Sequence, residues 1–187
     1  MERREAIKRT AAIMGGVIFA PSIFGVLSGC TATGDPWKPV LFNQSQADLT
    51  KALSETIIPE TDTAGAIEVG VPGFIEKMVN EVYTEDQRLV FLEGLDSFNS
   101  ACIEATGNSF ADLTSEEQFE YAFEMNRIAL TEQPTGLPDF FLLFKELTMV
   151  GYFTSEVGAT QVLRYEPVPG YYDGCMPFEE VGRTWAT

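Results

Sequence analysis

Apolar residues recur at helical intervals along most of this chain, and caps, prolines and glycines cut the recurrence into separate stripes. Ser45 stands as an N-cap before Leu49, Ala52, Leu53 and Ile57, and Pro59 closes that element. Residues 60–71 read as a loop, with Asp62, Thr63, Gly65 and Gly70 as turn formers. Pro72 suits a first helical position, and Phe74, Ile75, Met78, Val79 and Val82 follow as one face. Thr84 with Gln87 forms a capping box for the stripe Leu89, Leu92, Leu95, Phe98, Cys102 and Ala105, which Gly107 ends. Thr114 with Glu117 repeats the signal before Phe119, Ala122, Phe123 and Leu130, and residues 133–138 (QPTGLP) break the pattern. The next helix, from Asp139, is apolar all round at Phe140, Phe141, Leu142, Leu143 and Phe144, which places it at a bundle centre or beneath a partner. The pattern predicts an all-α fold: an irregular domain of five or six helices, with an extended, aromatic-rich C-terminal segment.

That segment is the unusual part. Leu147, Val150 and Phe153, with Tyr152 a turn beyond Thr148, start it as a helix, and Val157, Thr160 and Gln161 carry the spacing on to Leu163. From Arg164 the chain reads RYEPVPGYYDGCMPF, whose prolines and glycines forbid both a helix and a central strand. Tyr165, Tyr171, Tyr172 and Phe178 make it too aromatic for a disordered tail. It must lie across an apolar surface, either on this chain or on another.

Composition removes many chemistries. The sequence contains no histidine, so Ser-His-Asp and Cys-His catalysis and c-type haem attachment are excluded. No G-x-G-x-x-G or G-x-x-x-x-G-K-[ST] phosphate loop is present, and zinc would have only carboxylates and distant cysteines to bind it. The carboxylate pairs Glu60/Asp62 and Glu116/Glu117 have the residue types for acid–base hydrolysis. Their positions, in a polar loop and in a helix first turn, favour local hydrogen bonding and the helix dipole instead. No catalytic, cofactor-binding or metal-binding residue is expected in this chain.

The N-terminus sets the expected compartment. Arg3 and Arg4 resemble the twin-arginine export motif, and residues 11–30 carry no charge and end in Leu-Ser-Gly-Cys, a lipobox-like sequence. Residues 1–29 are expected to be a signal peptide, with Cys30 lipidated, residues 30–44 a tether within which Trp37 is the candidate start of the fold, and residues 45–187 the helical domain, of which 164–187 form the irregular segment. An uncleaved signal anchor is the alternative, disfavoured by Pro21 and the glycines. The formal net charge is -16; without residues 1–29 the chain keeps 8 basic and 26 acidic groups, a net of -18. That excludes nucleic acid and attraction to anionic lipid as binding modes, and leaves the lipid at Cys30 as the membrane attachment. In an oxidising compartment Cys102 and Cys175 are a candidate disulfide, with two buried free thiols as the alternative.

Two runs carry a family resemblance. GYFTSEVGATQVLRYEPVPGYYDGC in the C-terminal part and TIIPETDTAGAIEVGVPGFIEKM near the start resemble the signatures of the small subunit (subunit 3, or gamma) of gluconate 2-dehydrogenase-type enzymes. The resemblance implies a non-catalytic partner of a large flavoprotein of the glucose–methanol–choline oxidoreductase type. That flavoprotein would hold FAD, oxidise a sugar or sugar acid, and pass electrons to a cytochrome c subunit or another acceptor. It also implies a role as export escort, lipid anchor and stabiliser on the periplasmic face of a membrane. Tyr152, Phe153, Tyr165, Pro169, Gly170, Tyr171 and Tyr172, which match the C-terminal signature, are the expected docking residues. The competing reading is a surface lipoprotein that captures carbohydrate on exposed aromatics such as those of YYDG, with no enzyme partner.

Overall fold

The structure is a computed structural model, and it describes residues 37–131, 137–168, 170 and 173–186. Arg3, Arg4, Cys30, Pro169, Tyr171 and Tyr172 lie outside the described residues. The elements are α1 (Gln44–Ile57), α2 (Val71–Lys77) continued by a π turn (Met78–Val82), α3 (Glu85–Thr106), a 3-10 turn (Phe110–Asp112), α4 (Ser115–Thr131), α5 (Leu137–Phe153), a second π turn (Gly158–Val162) and α6 (Phe178–Val181). The fold is all-α, as expected. Among the described residues the only extended pairing is a single parallel bridge between Arg164 and Trp185.

Local chemistry sets the helix starts. Asn43, not Ser45, caps α1: its side chain accepts the Gln46 N–H at 3.0 Å, and the Gln46 side chain accepts the Asn43 N–H at 3.1 Å. The reciprocal bonds satisfy two orphan donors at once, which Ser45, already inside the first turn, does not do. The boxes at Thr84 and Thr114 form as expected, and Glu117 accepts both the N–H and the hydroxyl of Thr114. In α2, Gly70 adopts φ 83° before Val71, so Pro72 is the second helical residue rather than the first. Beyond Lys77 the Tyr83 N–H reaches back five residues to the Met78 carbonyl. This π turn rotates the following side chains, and Val82, expected on the buried face, is exposed.

The core is organised around rings on α3 and α5. The face of α3 that is buried is Phe91, Leu95, Phe98 and Cys102, whereas Leu89 and Ala105 from the expected stripe face outward. Phe91 stacks with Phe42 and Phe144 and meets Tyr83 and Phe140 edge-on, with the Phe140 centroid 5.4 Å away. Two turns on, Phe98 meets Phe110, Tyr121, Phe140 and Phe141. Gly94 lies between Phe91 and Phe98, and a Cβ there would overlap the Phe140 ring. Phe140, Phe141, Phe144 and Leu147 are all buried, so α5 does occupy the bundle centre. It packs against α1, α2, α3 and α4.

Against this core α4 presents Tyr121, Ala122, Met125 and Ala129. Of its expected stripe only Ala122 is buried. Phe119, Phe123 and Leu130 are 58–70% exposed, and the two phenylalanine rings stack on each other at 6.0 Å. The Phe98 and Phe110 rings hold Tyr121 inward, which turns the neighbouring phenylalanines out.

The domain begins earlier than the expected tether allows. Glu76 on α2 is only 6% exposed, and its carboxylate accepts the Trp37 indole N–H and the backbone N–H groups of Val40, Leu41 and Phe42 at 2.7–2.9 Å. Residues 37–42, placed within the tether by sequence, are thus fixed to the fold. Burial alone would raise the Glu76 carboxyl, but the four bonds more than offset it and hold the group below its ordinary value. A carboxylate with a depressed folded-state value contributes stability above the unfolded value and loses it as pH falls through the folded one. Glu76→Ala should cost about 3 kcal/mol, because it leaves buried donors unpaired, and Glu76→Gln should cost less. Thermal melts across the acid range check this: the wild type should lose stability on acidification more steeply than Glu76→Gln.

Candidate functional site

The segment after α5 was expected to continue as a helix to Leu163, and it does not. Ser155 interrupts it: its hydroxyl donates to the Tyr152 carbonyl at 2.6 Å and accepts the Gly158 N–H at 3.0 Å. The chain turns so tightly that a Cβ on Gly158 would meet the Tyr152 carbonyl oxygen. A new start follows in the π turn Gly158–Val162, closed by the Leu163 N–H on the Gly158 carbonyl.

Tyr152, expected at a partner surface, is 2% exposed. Its hydroxyl donates to the Ala64 carbonyl at 2.8 Å, and Phe153 packs edge-on against its ring. Tyr152 therefore joins the end of α5 to the loop before α2, with its ring buried in this chain. That loop has a second fastening, because Glu55 accepts the N–H groups of Glu60 and Ile67. The two signature runs thus meet in space. Phe153 is half-buried, and Tyr165 and Gly170 are exposed.

Beyond the π turn the chain forms a lobe closed at its base. Arg164 donates its N–H to the Thr184 carbonyl at 2.8 Å and accepts the Ala186 N–H at 2.9 Å. Its guanidinium lies 4.4 Å from the centre of the Trp185 ring and donates to the Val181 carbonyl at the end of α6. That places a cation at the negative end of the helix, while the ring face holds it from the other side. Arg183 donates to the Gln161 carbonyl, a third fastening. Between these points Tyr165, Val168 and Phe178 are 55–79% exposed. Neither Arg164, Arg183 nor Trp185 was singled out from sequence. The available signal was two of only 12 basic residues in an acidic chain bracketing the irregular segment.

The candidate disulfide is not formed. Cys102 is buried in α3 with Thr106 beside it, and Cys175 is exposed in the lobe. The alternative of two buried thiols holds for Cys102 alone. Burial pushes the Cys102 thiol up, against a smaller opposing effect of Thr106. Tyr121 is pushed up to about 12 by burial and then by Cys102, so it stays neutral.

In each carboxylate pair one member has a local hydrogen-bond role. Glu117 caps α4, and the Asp62 carboxylate accepts the Thr61 hydroxyl in an exposed turn. Among the described residues no three His, Cys, Asp or Glu side chains converge as metal ligands, and no helix is long and apolar enough to cross a membrane.

The described residues thus form an all-α domain in which several carboxylates are engaged with its own backbone, and apolar side chains stand exposed on α4 and in the C-terminal segment. The sequence profile described as Gluconate 2-dehydrogenase subunit 3 matches residues 44–170, and the chain belongs to that family. It is accordingly a subunit of a gluconate 2-dehydrogenase-type oxidoreductase complex, with the other subunits as its partners. Neither the curated proteins nor the solved structures compared with the chain gave a match.

Two outcomes are expected. Tyr152→Phe should lower stability by about 1 kcal/mol through loss of the Ala64 bond, with partner binding unchanged, as read by thermal melts beside co-purification. Peptide mapping after thiol labelling should find Cys175 modified in the native protein and Cys102 only after denaturation.

Proposed function

We propose that this chain is the non-catalytic small subunit that escorts, anchors and stabilises a flavoprotein dehydrogenase of the glucose–methanol–choline type. Membership of the subunit 3 family is the observation that carries this reading. In it, the large subunit holds FAD and oxidises a sugar or sugar acid, and a cytochrome c subunit or another acceptor takes the electrons. The sequence of this chain carries no dinucleotide fingerprint, and this reading assigns the redox step to the partner.

The escort role follows from the N-terminal sequence. The twin-arginine route moves folded proteins, so a flavin-loaded partner without a signal of its own would cross while bound here. Arg3 and Arg4 address the translocase, and Cys30 takes the lipid that keeps the complex on the periplasmic face of a membrane. Tyr165, Pro169, Gly170, Tyr171 and Tyr172 remain the docking residues from the signature, with Phe153 at the margin.

In a strain lacking this chain the flavoprotein should stay in the cytoplasm, and a Cys30→Ala chain should restore its export but not its membrane attachment. Fractionation with a flavin absorbance scan checks both points. Flavoprotein in the periplasm without this chain would refute the escort role. Sugar binding by the isolated chain in isothermal titration would favour the carbohydrate-capture reading instead.

A further inference from the structure

The fastening at Glu76 fixes the point at which the chain leaves the domain. Glu76 Oε1 accepts three successive backbone N–H groups, from Val40, Leu41 and Phe42, at 2.7–2.9 Å, and Oε2 accepts the Trp37 indole N–H at 2.8 Å. The indole is held on its other sides as well. Gly73 on α2 lets it lie against the helix, since a Cβ there would stand 3.3 Å from the ring. Phe42 meets it edge-on, and Lys51 on α1 lies 5.6 Å from its centre. Phe42 is itself buried and stacks on Phe91 of α3. Residues 37–42 are thus joined to three helices, although they precede the first of them and the family match begins at residue 44.

We infer that the Glu76 clasp is an orienting device: it shortens the lipid tether so that the Trp37 side of the domain stays toward the bilayer that the Cys30 lipid enters. The inference rests on the lipid-anchor reading above and adds which side of the chain meets the membrane. Chain length decides it. With Trp37 held, seven residue steps separate the fold from Cys30, and they span at most about 25 Å. A compact domain of about 150 residues has a radius of gyration of about 15 Å and is roughly 38 Å across. The clasped tether is shorter than that, so the far side of the domain cannot turn to the bilayer. Without the clasp the next fixed point is Phe42, twelve steps from Cys30, and the reach rises to about 43 Å. That exceeds the width of the domain, and the restriction on its orientation is lost. Charge offers no substitute, because the chain beyond residue 29 is strongly acidic and is not drawn to anionic lipid. Glu76 and Trp37 are positioning residues: the lipid makes the attachment, and they set its length.

The test uses the full chain, exported and lipid-modified in its host, in phosphatidylcholine vesicles whose head groups carry a photo-cross-linker. Illumination and peptide mapping should place the wild-type cross-links in peptides around Trp37, Lys51 and Gly73. An insertion of about ten Gly/Ser residues between Thr33 and Gly34 lengthens the tether and leaves the clasp intact. Local concentration at the end of a flexible tether falls roughly as the −3/2 power of its length, so the insertion should cut the yield on those peptides about fourfold. Its melting temperature should be unchanged, and cross-links should appear elsewhere on the domain. Glu76→Ala should cut the same yield about twofold, and the insertion decides the matter where that variant loses its fold. The inference is overturned if wild-type cross-links spread evenly or lie away from those peptides, or if the inserted chain or a folded Glu76→Ala chain gives the wild-type map. A wild-type chain that takes up no palmitate and does not enter the vesicles would overturn the lipid-anchor reading as well, and that result is distinct from the others.

Discussion

The fold depends on the seat that Gly94 leaves for Phe140. A helix that is apolar at five successive positions needs neighbours on every side, and α5 obtains them only by lying close against α3. Gly94 permits that approach, because any side chain there would occupy the volume of the Phe140 ring. With the ring in place, Phe91 and Phe98 flank it and extend the contact to Phe42 on one side and to Phe110 and Tyr121 on the other. The aromatic clusters formed around Phe91 and Phe98 are thus one body, and α1, α2 and α4 are arranged about it.

The carboxylates of this acidic chain complete the frame. Glu76 gathers residues 37–42 onto α2, Glu55 fastens the loop before it, and Glu117 starts α4. In each case a carboxylate supplies acceptors to backbone N–H groups that no helix or sheet would satisfy. At Glu76 these bonds outweigh the effect of burial and hold the carboxyl below its ordinary value. Of the acid–base candidates that the sequence offers, Glu117 serves the architecture in this way.

The sequence carried the all-α class, two of the three capping boxes and the central place of α5, because each of these is encoded within a few residues. It did not carry the facing of amphipathic helices with more than one apolar side. On α4 both Phe119/Phe123 and Tyr121/Met125 fit a helical stripe, and only the rings waiting on α3 and the 3-10 turn decide which is buried. On α2 the π turn shifts the register that a 3.6-residue template assumes, which is why Val82 was misplaced. The docking set divides for a similar reason. Tyr152 belongs to the signature because it holds the two signature runs together, a packing role that a motif alone does not separate from contact with a partner.

The contacts of Arg164, Arg183 and Trp185 show the same limit from the other side. Arg164 lies within the family match, which ends at residue 170, while Arg183 and Trp185 lie beyond it. A reading of motifs sees the two ends of the lobe as unrelated, since roughly twenty residues separate them and local periodicity does not reach that far. Their pairing follows from charge: in a chain so poor in cations, a guanidinium at the base of an acidic lobe has helix-end carbonyls and a tryptophan face to engage, and it engages both. The lobe then keeps its apolar side chains outward because its ends are fixed to the chain, not because those side chains find burial there. Burial of such apolar surface by a second protein would be favourable.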